Sequence, residues 1–310
     1  MRRAVIVLAL VLASPLCFAQ EAPNPFTSQN TRSRTGVFTT LTSGLSAFIF
    51  SVMAPVQKML NESLARMTRA LKGSHSLSGL LFVVLLALAY GIFHAAGPGH
   101  GKTIVSSFLL ANEGKISQSF IIGYLVAAVH ALSALAVVLI LYYLIRGIFA
   151  TGVEQANHWI QLVTFAVITL IGAVMLVRRS MGKTHSHSHH HGHTHGDHGE
   201  EQRDKLTMRN LLGIALPAGV IPCPGAVAVV LFALSLHMLA VSILAVSSIS
   251  VGMGTTISAT GAMVILVKKG AIKAVAGAHE ERDAKVRKII EIAGAAILFL
   301  FGLVFFFAQL

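Results

Sequence analysis

Apolar residues along this chain fall in long runs separated by short polar stretches, the pattern of membrane-crossing helices. The convincing runs cover about Leu77–Leu110, Phe120–Ile145, Ile160–Val177, Leu211–Leu236, Ala240–Val267 and Ile289–Phe307. The first is too long for one straight helix across about 30 Å of hydrocarbon. It also holds a polar break, His94-Ala95-Ala96-Gly97-Pro98-Gly99-His100-Gly101-Lys102. Glycine and proline disfavour a regular helix, and histidine and lysine are expensive in lipid unless they face a cavity or a partner. Irregular backbone at membrane depth is tolerated only where protein or water surrounds it. The segment therefore reads as a site, and the first run as a broken helix. The fourth run is interrupted in the same way, by Pro217 and then Pro222-Cys223-Pro224-Gly225.

Six runs divide three and three, with the first run of each half broken near its middle. Halves of three spans insert in opposite directions, and matched breaks point to a transport site at the midplane. The expected fold is an all-α integral membrane protein, six transmembrane helices in a 3+3 inverted repeat. The halves would cover 77–177 and 210–310, with a polar loop at 178–209 between them.

The residues ahead of the first run are less regular. Arg2 and Arg3, the apolar Ala4 to Ala13, and Cys17-Phe18-Ala19 before Gln20 have the three parts of a signal peptide over 1–19, although a retained anchor is an alternative. Residues 20–76 would then be extracytoplasmic, unstructured as far as 35. Gly36 to Val56 is a weak candidate span diluted by Thr and Ser. Beyond it Met59, Leu60, Leu64, Met67 and Leu71 recur at helical spacing among charges, which suits a helix lying on the membrane surface.

Composition agrees with a membrane class: 55% hydrophobic residues, 12% charged, and a mean hydropathy of +0.74. The +12 net charge does not point to nucleic acid, because the basic residues flank the apolar runs. Arg178, Arg179, Lys183, Arg203, Lys205 and Arg209 follow the third run, and Lys268 to Lys288 after the fifth is equally basic. Those loops are expected in the cytoplasm. Of the two cysteines, Cys17 lies in the cleavable segment and Cys223 in the second break. Once that segment is removed, no intrachain disulfide is possible.

The loop between the halves carries His185, His187, His189, His190, His191, His193, His195 and His198. Such a run cannot build a core, and neutral imidazoles bind borderline transition metals. A flexible tract can collect or sense ions but cannot form a selective pore. Within the runs, His94 and His100 flank the first break, and a chain folded back there could aim both at one ion. Either could instead hydrogen-bond carbonyls freed by the break. His130, inside the second run, is a ligand, a proton carrier or a structural histidine. Cys223 is a ligand or a small apolar residue. Lys102 would repel cations or neutralise a freed carbonyl dipole.

Ala96 to Thr103 also fits a loose phosphate-loop pattern. A nucleotide site needs a strand before that loop and a carboxylate for magnesium, and the first aspartate of the chain is Asp197. No acidic residue lies in the core of a run; Glu291 stands at the edge of the sixth, at the expected interface. The scarcity of carboxylates argues against calcium and magnesium and for ions bound through nitrogen and sulfur.

His94 to Lys102, followed by Ser106-Ser107-Phe108-Leu109-Leu110-Ala111-Asn112, then Pro222-Cys223-Pro224-Gly225 and the histidine loop, resembles the nickel/cobalt efflux transporters of the NicO type. The resemblance covers about 77–308. It implies export of Ni²⁺ and Co²⁺ across a bacterial inner membrane and a place in the wider lysine-exporter-like group of 3+3 transporters. High-affinity nickel permeases share a related motif with aspartates where this chain has Gly97 and Gly99, a departure that argues against high-affinity uptake. The expectation is a secondary transporter, not an enzyme, coupled to the proton gradient. Its partners would be divalent metal ions and lipid, with a homo-oligomer open, and neither nucleic acid nor nucleotide. No cofactor is expected beyond the transported Ni²⁺ or Co²⁺. The expected ligands are His94, His100, His130 and Cys223, with the histidine loop as collector. A metal sensor or chaperone, a nickel/cobalt importer, and a transporter of a non-metal solute are the alternatives.

Overall fold

The computed structural model describes residues 38–74, 76–97, 99–144, 149–181, 208–276 and 280–309. The histidine loop, the signal-peptide segment, His75, Pro98 and His279 lie outside them. The described residues form helices joined by short turns: α1 Phe38–Ser74, α2 Leu77–Ala96, α3 His100–Ala111, α4 Ile116–Leu144, α5 Phe149–Ser180, α6 Met208–Gly219, α7 Pro224–Ser235, α8 Leu239–Ala276 and α9 Glu280–Gln309. No strand occurs among them, so the phosphate-loop pattern at Ala96–Thr103 lacks the strand it requires.

Five of these helices, α2, α4, α5, α8 and α9, are long and apolar enough to cross a membrane. Their outer faces show large apolar side chains such as Leu81, Leu85, Leu170, Met263, Leu300 and Val304. A soluble protein would bury such side chains; hydrocarbon accepts them. The chain is a multi-pass helical membrane protein.

The first run divides at the break, into α2 of 20 residues and α3 of 12. Beyond the break, α3 has twelve residues, of which Lys102 to Ala111 are all buried. At about 1.5 Å per residue it is ~18 Å long, too short to span. The fourth run divides as the prolines suggest, into α6 and α7 of 12 residues each.

Local chemistry sets these ends. Ser76 Oγ accepts the Gly79 N–H at 2.9 Å and starts α2. Cys223 takes the same place at α7, its Sγ accepting the Ala226 N–H at 3.2 Å, with proline at the first helical turn. Asn112 closes α3, its N–H and its Nδ2 both donating to the Phe108 carbonyl.

The bundle packs α4 and α2 against α8, α9 against α5, α3 against α8 and α9, and α6 against α4. Close approach of α2 and α8 depends on glycine: a Cβ on Gly91 would overlap the Ile249 carbonyl, and one on Gly252 the Leu88 carbonyl. Such small-residue contacts replace the hydrophobic drive that lipid removes.

The basic stretch expected as a loop changes, and packing adds detail at α1 and Glu291. Helix α1 is continuous from Phe38 to Ser74 and packs on α2 and α7. Its buried stripe is Leu60, Leu64, Thr68 and Leu71, while Met59 and Met67 are exposed. The basic stretch after the fifth run is largely helical, since α8 continues past Lys268 to Ala276 and α9 begins at Glu280. Glu291 is buried within the protein: Arg179 Nη1 lies 2.8 Å from one carboxylate oxygen and Lys268 Nζ 3.7 Å from the other. Lys268 Nζ also donates to the Leu110 and Asn112 carbonyls at 2.8 and 2.9 Å, and Arg179 to the Asn112 Oδ1 at 3.2 Å. Arg287 pairs with Glu113 beside them.

Candidate metal centre

The two breaks meet inside the bundle. One comes from the end of α2, the other from the turn between α6 and α7, and α4 runs beside both. There one ligand atom each from His94, His130 and Cys223 all lie within 4.8 Å of one another. His130 and Cys223 are buried and His94 is half-buried. Metal–ligand bonds of about 2.0–2.3 Å leave tetrahedral ligand atoms roughly 3.5 Å apart, so small side-chain rotations would bring the three onto one ion. No other group of this kind is found among the described residues.

His94 sits one turn before the break on α2. Its ring stacks on Tyr90 at 5.7 Å between centroids and lies 6.3 Å from the His130 ring. His130 Nε2 accepts the Cys223 backbone N–H at 3.2 Å. A neutral imidazole has one lone pair. Nε2 therefore serves that N–H or an ion, never both. Moving the ring proton to Nε2, to free Nδ1 for an ion, would also abolish the bond.

Of the residues expected from sequence, these three come together. His100 begins α3, half-buried and close enough to His94 to interact electrostatically, but outside the group of three. His185, His187, His189, His190, His191, His193, His195 and His198 fall outside the described residues. His158 packs edge-on to Trp159 and is exposed, and His237 is an exposed turn residue with φ 60°. Lys102 is buried, its Nζ donating to the Ala96 carbonyl at 2.8 Å. It neutralises a carbonyl end of α2, one of the two roles open to it.

Two neighbours were not legible as site residues. Gln57 of α1 donates from Nε2 to the Phe93 carbonyl at 3.2 Å, beside the break. Tyr90 lies buried one helical turn before His94, its ring stacked on the imidazole and its hydroxyl against Gly225, within electrostatic reach of the Cys223 side chain. The i, i+4 spacing to His94 was the only signal for it.

A largely buried N,N,S cluster where two helix breaks meet, inside a multi-pass bundle, is an arrangement whose donor atoms suit a transition-metal ion. Comparison with known proteins adds to this. The NicO family, described as high-affinity nickel-transport protein, matches residues 80–212, which include His94 and His130 but not Cys223. A protein of Methanocaldococcus jannaschii, provisionally named a nickel/cobalt efflux system, is 26% identical over 221 residues, 71% of this chain and 90% of its own. The Escherichia coli nickel/cobalt efflux system RcnA is 27% identical over 217 residues, 58% of this chain and 77% of its own. A Haemophilus influenzae protein with a provisional name of the same kind is 22% identical over 289 residues, 83% of this chain and 88% of its own. Over these residues the chain is similar to the NicO family and to proteins named nickel/cobalt efflux systems. No solved structure matches it.

Proposed function

We propose that the chain is a secondary transporter that exports Ni²⁺ and Co²⁺ across the bacterial inner membrane. The observation that carries this is the gathering of His94, His130 and Cys223 at the meeting of the two breaks. Two imidazoles and a thiolate suit borderline-soft divalent ions and disfavour calcium and magnesium. The names of the relatives favour export as the direction.

The site lies between two halves of three spans each, α2–α5 and α6–α9, with α2–α3 and α6–α7 as the broken spans, related as an inverted repeat. The packing supports this: α2 lies on α8 as α6 lies on α4, and α5 pairs with α9. The basic ends of α5 and α8 face the cytoplasm. Cys223 must lose its proton to bind the ion, and that proton couples export to the proton gradient. An ion at His130 breaks the bond to the Cys223 N–H, so binding acts directly on the turn between α6 and α7. The histidine loop gathers ions on the cytoplasmic side.

The test is metal accumulation in cells lacking metal exporters. The chain should lower nickel and cobalt content, and His94→Ala, His130→Ala and Cys223→Ala variants should not. Unchanged accumulation, or full export by the variants, would refute the reading. Raised accumulation would instead mean uptake.

A further inference from the structure

Resting on the reading of His94, His130 and Cys223 as the ion's ligands, we propose that Tyr90 is a positioning residue for the ion. Its hydroxyl holds the Cys223 sulfur while its ring holds the His94 imidazole. Three features of the fold converge on this. Tyr90 is 5% exposed, and its ring is nearly parallel to that of His94, 15° between planes and 5.7 Å between centroids. Its hydroxyl rests on Gly225, where a Cβ would overlap it, so the backbone of the second break is shaped to admit the phenol. Gly225 is two residues past Cys223, which puts the hydroxyl within electrostatic reach of the Cys223 side chain, whose sulfur receives the Ala226 N–H. A single side chain of α2 thereby spans both breaks and sets the separation of two ligands.

A hydrogen bond to a ligating sulfur draws electron density from it and fixes its direction. Outer partners of this kind commonly change metal affinity about tenfold to a hundredfold. Tyr90 makes no bond to the ion in this scheme. It determines where the thiolate points and how strongly it donates.

Cobalt(II) titration of the purified full chain in detergent reads this, because thiolate ligation produces a sulfur-to-cobalt charge-transfer band. Tyr90→Phe keeps the ring and deletes the hydroxyl. Co²⁺ affinity should fall about tenfold or more, and the band should persist at a shifted energy, since Cys223 still binds. Gly225→Ala, which displaces the hydroxyl while leaving the tyrosine in place, should shift the band in the same sense. An affinity and band in Tyr90→Phe equal to those of the unaltered chain would overturn the proposal. So would a fall in affinity with the band unmoved, which would mark a purely structural role. Failure of the underlying reading looks different: the unaltered chain would show no sulfur band, or Cys223→Ala would keep it, and the proposal would fall with it.

Discussion

Cys223 carries two roles that substitution can separate. Its sulfur caps α7 through the Ala226 N–H, and it is one of the three gathered ligand atoms. Serine caps helices well but is a far poorer donor to soft ions. Cys223→Ser should therefore keep the fold, lowering stability in detergent by no more than about 0.5–3 kcal/mol, while export, read as nickel accumulation, is lost. Export that survived would remove sulfur from the ligand set. Lys102 offers the opposite combination. Lys102→Met deletes the donor to the Ala96 carbonyl and should lower stability by about 1–3 kcal/mol. It also removes a positive charge whose field reaches His94, so Co²⁺ should bind more tightly in an equilibrium titration. Weaker binding would mean that the ammonium serves the site by shaping the break. At this scale the sequence was informative wherever polarity was out of place. His94, His130 and Cys223 stood out because histidine and a proline-flanked cysteine are unusual in apolar runs. Tyr90 did not, because a tyrosine among leucines is unremarkable until its neighbours are known.

Helix boundaries were less legible than helix identities. Glycine and proline announced a break after His94, yet whether it bisects a span or ends one depends on what surrounds α3. The neighbours α8 and α9 bury the short helix after the break, and Lys268 of α8 caps its end at Leu110. Helix α1 had an amphipathic pattern that suited a helix on the membrane surface. Its stripe of Leu60, Leu64, Thr68 and Leu71 meets α2 and α7, and Arg69 stacks 4.9 Å over the Phe232 ring. The crossing of α2 and α8 is the element-level contact most sensitive to volume. Gly91→Val would drive a branched side chain into the Ile249 carbonyl. It should lower stability by at least about 1–3 kcal/mol, measured by thermal unfolding in detergent. An unchanged melting temperature would mean that the two helices have room to separate.

Across the whole molecule, charges that sequence assigned to loops turn out to tie helices together. Arg179 of α5, Lys268 of α8 and Glu291 of α9 converge on the end of α3 at Asn112. Removing one member of a buried ionic group leaves its partners uncompensated. Glu291→Gln should destabilise the fold by about 3–5 kcal/mol, checked by thermal unfolding at low and high salt; the loss should change little with salt, because the pair is shielded from solvent. Loss that vanished in salt would place the network at the surface. Deletion of 184–200 tests a different dependence. If the ion's path runs through the bundle, export should persist with a reduced response at low metal, whereas a sensor built on the histidine loop would lose all function.

The membrane class, the helical makeup, the two breaks and most of the candidate ligands followed from sequence alone. Hydropathy, proline and buried polar residues act locally, so a linear reading captures them. Tertiary structure decided which of those residues meet. His100 is six residues from His94 and stands apart, whereas His130 and Cys223 are 93 apart and share a hydrogen bond. Helix packing controls that choice: glycines set how closely α2, α4 and α8 approach, and their crossing selects the side chains that face inward together. The partners of Tyr90, Lys102 and Glu291 come from the same crossings, through contacts between segments distant along the chain.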